Sequence, residues 1–247
     1  MRLTVLGACG AWPEAGGAAS GYLLEQDGFR LVLDLGYATL PRLLALMPAG
    51  AVDAVLVSHG HPDHCADVNP LLRARALGPA QAPPLPLYCL PGALDPVLAL
   101  DRPGMLDAAY ALHAFRAGEA LAIGPFAAET WPLPHFVPNA GIRLTAGGRT
   151  LAYTGDSGPS PDLAALARDA DLLLAEATFA EVVPERSRGS LSSARHVGEV
   201  AAQAGVRRLV LTHLWPGSPA AAAREAALRA FRGPVAVASS ALTLDLG

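Results

Sequence analysis

The sequence predicts an α/β protein built as a four-layer α/β/β/α sandwich, and two observations carry that prediction. Strand-rich stretches followed by alternating helices and strands occur twice, once in each half of the 247-residue chain, which implies two sheets packed face to face with helices outside. A cluster of histidines and an aspartate directly follows a short, wholly apolar strand, and this company of metal-ligand residues favours the sandwich over other α/β layouts. With no clear linker, repeat or low-complexity tail, residues 1–247 read as a single domain.

Each element follows from local pattern. Leu3–Leu6, Gly21–Glu25 and Arg30–Asp34 are short β-rich runs, the last two joined by the hairpin dipeptide Asp27-Gly28. Thr39–Met47 has helical spacing and is closed by Pro48, and Ala54–Val57 is an apolar strand of the kind buried on both faces. Asp67–Leu77 reads as a helix with Pro70 in its first turn, then Leu85–Cys89 as a strand and Asp95–Leu100 as a short helix. Strands follow at Ala111–Phe115, Phe126–Trp131, Gly141–Thr145 and Thr150–Tyr153. The end of the chain alternates: helix Pro161–Arg168, strand Leu172–Ala175, helix Ser193–Ala204, strand Leu209–Leu211, helix Ala220–Phe231.

Composition excludes several classes. The chain is 52% hydrophobic and 16% charged, unlike a disordered polyelectrolyte. All eighteen basic residues are arginine, so neither a Schiff-base lysine nor a phosphate-loop lysine takes part in the chemistry. A net charge of −4 gives no general electrostatic case for nucleic acid. Cys9, Cys65 and Cys89 are odd in number and form no CxxC pair, as expected in a reducing compartment. The opening MRLTVLGACG has neither the charged segment nor the apolar stretch of a secretory signal, and prolines punctuate the long uncharged stretch Ala76–Leu94. A cytoplasmic protein outside the membrane is expected.

The informative segment is Ser58-His59-Gly60-His61-Pro62-Asp63-His64. Residues two apart in an extended segment share a side, so His59 and His61 can reach one ion together. Asp63 and His64 follow the turn at Pro62 and can face a second ion, and imidazole with carboxylate suits zinc. HGHPDH resembles the HxHxDH signature of the metallo-β-lactamase superfamily. The later motifs of that family follow in order: His135 in Trp131-Pro-Leu-Pro-His135, Asp156 after Tyr153-Thr-Gly155, and His213 after Leu209-Val-Leu-Thr212. The resemblance extends from residue 1 to about residue 240. It implies the metallo-β-lactamase fold and two zinc ions, with manganese or another divalent metal as substitutes. His59, His61 and His135 would hold the first ion, Asp63, His64 and His213 the second, and Asp156 would bridge. A metal-bridging hydroxide would then be the nucleophile. Flavodiiron oxygen reductases carry glutamate where His61 stands, so this motif favours hydrolysis over redox chemistry.

The second half resembles the ribonuclease Z and phosphodiesterase branch, through Asp171-Leu-Leu-Leu-Ala-Glu176-Ala-Thr-Phe179 and GVRRLVLTH. That resemblance makes Glu176, with Asp63, the expected catalytic residues, Glu176 helping to protonate the leaving group. The branch's further histidine is replaced by Ser190-Leu191-Ser192, with His196 six residues on in a predicted helix. The tRNA-gripping arm of ribonuclease Z has no counterpart between Asp156 and His213. The expected substrate is therefore a small-molecule or nucleotide-type ester, with RNA unsupported by charge and a homodimer in keeping with the resembling family. Hydrolysis of a thioester, lactone or sulfate ester is the alternative, and a non-catalytic metal-binding protein the remaining one. Outside the ligands, Asp34 is expected to orient a ligand histidine. His113 is expected to pack at a strand and Cys65 to be buried. Trp12, Trp131 and Trp215 are read as either mouth or packing residues, and Arg186 and Arg188 by default as solvated loop arginines, with contact to a phosphate as the alternative.

Overall fold

The computed structural model describes residues 1–79 and 82–247; residues 80 and 81, within the proline-punctuated stretch, lie outside the described part. Among the described residues fourteen strands form two seven-stranded sheets. In the first, β1 (Arg2–Gly7), β2 (Gly21–Gln26) and β3 (Phe29–Leu35) are antiparallel neighbours, and β4 (Ala54–Leu56), β5 (Leu85–Cys89) and β6 (Tyr110–Ala114) continue in parallel. In the second, β7 (Ala120–Ile123), β8 (Phe126–Leu133), β9 (Asn139–Ala146) and β10 (Arg149–Tyr153) are antiparallel. From β10 onward β11 (Leu172–Glu176), β12 (Leu209–Thr212) and β13 (Val235–Val237) add in parallel. The final strand, β14 (Thr243–Asp245), returns to the first sheet and pairs antiparallel with β1.

The two-residue period of the strands distributes their side chains between layers. Tyr22, Leu24, Leu31 and Leu33 point into the core between the sheets, where they meet Ile142, Leu144, Leu172 and Leu174. The alternate residues Leu23 and Val32, with Leu35 beyond the irregularity at Asp34 (φ 55°), pack outward against Leu43 of α1 (Leu40–Leu46) and Leu71 and Leu72 of α3 (Val68–Leu77). On the second sheet Leu173 and Ala175 face α5 (Asp162–Ala167), α6 (Ala194–Gln203) and α7 (Ala220–Leu228). These three apolar layers make the expected α/β/β/α sandwich. Asp27 (φ 52°) and Gly28 (φ 82°) both lie in the left-handed region, as a tight two-residue hairpin turn requires.

Several boundaries differ from the sequence expectation. Strands β7, β13 and β14 were not expected: each is three or four residues long, too short for a periodic signal. The strand expected at Ala111–Phe115 starts and ends one residue earlier. The helix expected through Leu100 is α4 (Asp95–Leu98), beyond which Asp101 turns to bond Asn69 Nδ2 at 2.9 Å. The last helix stops at Leu228, and turn bonds from Ala230 N (3.1 Å) and Phe231 N (3.0 Å) to Ala227 O carry the chain to Phe231, whose ring lies in the core. A short helix α2 (Pro62–Cys65) precedes α3 and carries two residues of the cluster. Among the described residues no helix is long and apolar enough to cross a membrane.

Candidate metal centre

The seven expected ligand residues all lie at one edge of the sandwich. His59, His135, Asp156 and His213 follow the C-terminal ends of β4, β8, β10 and β12, where an open α/β sheet presents its ligand-binding groups. Proline at the first helical position starts α2, which turns Asp63 and His64 back toward the same point. Backbone contacts tie the two sheets together here: His59 bridges Asn139, Ala140 N bonds Ser58 O at 3.1 Å, and Cys9 bridges Leu214.

Two groups of donor atoms result, each with all its members within 4.8 Å of one another: His59, His61, His135 and Asp156, and then Asp63, His64, Asp156 and His213. In the first, His61 Nδ1 lies 3.1 Å from His59 Nε2 and 3.0 Å from His135 Nε2, and Asp156 Oδ2 is 3.7 Å from His135 Nε2. In the second, His213 Nε2 is 3.1 Å from Asp63 Oδ2 and 3.2 Å from Asp156 Oδ2, and His64 Nε2 is 3.3 Å from Asp156 Oδ1. Ligands at ~2.0–2.2 Å around a tetrahedral ion stand about 3.3 Å apart, so both groups have the spacing of a metal shell. A second observation agrees. His64 Nε2 and Asp156 Oδ1 are buried and have no hydrogen-bond partner. Native interiors rarely leave such atoms unsatisfied, and a cation between them would satisfy both.

The surroundings fix each ring. Asp34 Oδ2 meets His64 Nδ1 at 2.8 Å, and the same carboxylate accepts from Ser58 N, Ser58 Oγ and Tyr153 Oη. The expected orienting role of Asp34 thus has its geometry. His135 Nδ1 donates to Ser190 O at 2.8 Å, which places the serine segment beside the centre although no histidine stands in it. Gly10 lets the loop after β1 press on His213: a Cβ there would fall 2.7 Å from His213 O and 2.8 Å from its Nδ1.

Charges follow from burial and from these neighbours. Burial holds His59 well below the usual histidine range and also lowers His61 and His135. Burial opposes charge on His64 and His213 as well, but Asp156 outweighs it and both are raised. Against burial, the neighbouring histidines, His213 foremost, hold Asp63 and Asp156 well below the ordinary carboxylate range. Neutral imidazoles in the first group and ionised carboxylates in both are the protonation states that metal binding needs.

The centre opens on a cleft of about 410 Å³ lined by Ala11, His61, Asp63, His135, Phe136, Asp156, Arg186, Ser187, Leu191, His213 and Trp215. Of the two loop arginines, Arg186 reaches the cleft, while Arg188 pairs with Glu185 at 2.7 Å. Trp215 lines the cleft with Trp12 edge-on against it at 5.0 Å, whereas Trp131 packs beside the second-sheet core. Cys65 is buried with Sγ toward His61 O (3.3 Å), and burial pushes its thiol up to about 12. His113 stacks on Tyr88 from the exposed side of β6. His196, on α6, is not among the lining residues. Nor is Glu176: its carboxylate is buried, accepting from Thr178 N, Thr178 Oγ1, Ser192 N and, at longer range, Ser157 N. Sequence reasoning gave no role to Thr178, although it stands in the segment that carries the branch resemblance, nor to Asn139; both matter through what they touch in three dimensions.

A four-layer sandwich with this histidine–aspartate cluster at its strand ends defines a class, the metal-dependent hydrolases of the metallo-β-lactamase fold. Residues 20–214 match the family model described as Beta-lactamase superfamily domain, and the chain belongs to that superfamily. It is similar to the probable metallo-hydrolase YhfI of Bacillus subtilis, at 33% identity over 97% of this chain and 98% of that protein. The crystal structure of YhfI, a metallo-β-lactamase fold protein, superposes with a TM-score of 0.90 at 31% identity, covering 99% of both chains. The chain is also 27% identical to a ribonuclease Z of Halorubrum lacusprofundi over 87% of this chain and 86% of that one. The short form of human tRNase Z shares the fold with a TM-score of 0.79 at 22% identity, over the whole of both chains.

Proposed function

We propose that this chain is a dinuclear zinc phosphodiesterase, a single catalytic domain acting on small or nucleotide-type esters. The observation that carries this reading is the position of Asp156, with Oδ2 3.7 Å from His135 Nε2 on one side and Oδ1 3.3 Å from His64 Nε2 on the other. His59, His61 and His135 would hold one ion, Asp63, His64 and His213 the other, and Asp156 both. Two such ions supply water activated at neutral pH and positive charge for a phosphoryl group. The chain's own residues do the rest. Asp63 faces the cleft as an ionised carboxylate able to receive a proton, its Oδ2 fixed by Ala11 N at 2.9 Å. Arg186 offers the planar donor fork that matches phosphoryl oxygens. Phe136, Leu191 and Trp215 form an apolar wall that excludes water and accepts the organic part of an ester. The relatives named ribonuclease Z support phosphodiester chemistry, and the chain's net charge of −4 supports a small substrate over RNA.

The same apolar wall favours a second reading, hydrolysis of a thioester or lactone with a greasy acyl group. Purified, zinc-loaded protein assayed on bis-p-nitrophenyl phosphate beside thioester and lactone substrates separates the two. Phosphodiester turnover that disappears with chelation is expected. No such turnover with zinc, manganese or any other divalent metal would overturn the proposal.

A further inference from the structure

Glu176 is a buried acid that the cleft does not reach, and its surroundings define what it can do. Three of its four hydrogen-bond partners are backbone N–H groups, of Ser157, Thr178 and Ser192, which can only donate. The fourth is the hydroxyl of Thr178, 2.9 Å from Oε2. That hydroxyl has a second neighbour, His213 Nδ1, at 3.1 Å. Glu176, Thr178 and His213 are all buried.

A hydroxyl carries one proton. When Thr178 donates it to the Glu176 carboxylate, only its lone pairs remain for His213, and Nδ1 must carry the hydrogen. In a neutral imidazole, Nε2 is then the bare nitrogen. Nε2 is the atom 3.1 Å from Asp63 Oδ2 and 3.2 Å from Asp156 Oδ2, the one that faces the second donor group. Turning Thr178 round would make it donate to Nδ1 and put the hydrogen on Nε2, where it would exclude a cation.

We propose that Glu176 and Thr178 are positioning residues, a relay Glu176–Thr178–His213 that selects the metal-competent form of His213 and so loads the second metal position. This differs from the leaving-group role expected of Glu176, and it rests on the dinuclear reading above. It leaves the first group untouched, because His59, His61 and His135 make no contact with Thr178 in the hydrogen-bond network.

The test is zinc titration of the metal-stripped, full-length protein by calorimetry with a competing chelator. Wild type should take two ions. Thr178→Val, which keeps the shape and removes the hydroxyl, should weaken one ion by about 10–100-fold and leave the other unchanged. A crystal of the variant at limiting zinc should then hold metal among His59, His61 and His135. Thr178→Ser should restore the second ion. Glu176→Gln, whose amide nitrogen can turn the hydroxyl round, should weaken the same ion. Two ions bound with wild-type affinity in Thr178→Val would overturn the relay, as would equal weakening of both ions, which marks general loosening. A wild-type chain that takes fewer than two ions would sink the dinuclear reading itself, and the relay with it.

Discussion

Asp34 and His64, 30 residues apart in sequence, meet as a wholly buried pair, with Asp34 Oδ2 2.8 Å from His64 Nδ1. The carboxylate also gathers Ser58 N, Ser58 Oγ and Tyr153 Oη, so one side chain ties β3, the loop after β4 and β10 to the candidate metal centre. Asp34→Ala would strand Ser58 N in a dry interior and leave Ser58 Oγ, Tyr153 Oη and His64 Nδ1 with only their weaker mutual and histidine neighbours. A loss of about 3–5 kcal/mol is expected, the usual cost of stranding one partner of a buried charged pair. Urea unfolding of the metal-free protein measures it, and a change under about 1 kcal/mol would contradict the structure.

Metal should contribute directly to stability. Without a cation, the buried Asp63 and Asp156 carboxylates rely on protons on His64 and His213 for compensation. Zinc at ~1,000 times its Kd would add about 4 kcal/mol by mass action. Thermal melts with zinc, with chelator and after zinc is restored should show a large, reversible shift. Identical melts would mean that the donor groups hold nothing.

Arg186 should discriminate by charge. It lines the cleft, and a charge-assisted hydrogen bond is worth ~1.5–3 kcal/mol. Arg186→Ala is expected to lower kcat/KM for an anionic phosphodiester by at least about 10-fold and to spare a neutral lactone. Equal losses on both substrates would assign Arg186 to the fold of the loop.

The pH dependence of the metal-free protein has a definite sign above neutrality. Burial, with Asp156 adding to it, raises Glu176 from 4.5 to about 7, so the folded state holds this proton more tightly than the unfolded chain does. Its contribution is complete below pH ~4.5 and is lost as pH climbs through 7. His64 and His213, also raised, act in the same direction above their ordinary value of 6.5. Asp63 and Asp156 are depressed, and their contribution is lost only in acid, below 3.8. His59, His61 and His135, held low by burial, oppose the loss from Glu176 below 6.5. Stability without metal should therefore fall above about pH 7, and Glu176→Gln should flatten that slope. A slope unchanged by the variant would show that Glu176 keeps an ordinary pKa.

Much of this was legible in the amino-acid order. The segment from His59 to His64 announces itself because its candidate ligands stand close together in sequence, and His135, Asp156 and His213 because each follows a recognisable strand. Short elements were not legible. Ala120–Ile123 looks like any apolar tetrapeptide until β8 pairs with it, and Thr243–Asp245 becomes a strand only by pairing with Leu3 and its neighbours at the other end of the chain. Strand pairing is a bond between distant residues, and local composition carries little record of it.

Taken alone, the order of residues determined the layers, through two-residue alternation on the strands and helical spacing between them, and the identity of the chemical groups at the strand ends. Tertiary structure alone decided what each group faces. Packing put Arg186 in the cleft and left Arg188 with Glu185, and it enclosed Glu176 behind Thr178 instead of opening it to a substrate. Periodicity tells which side of an element a residue occupies. The atom it meets there comes from another stretch of chain, set by how the two sheets close on their shared core.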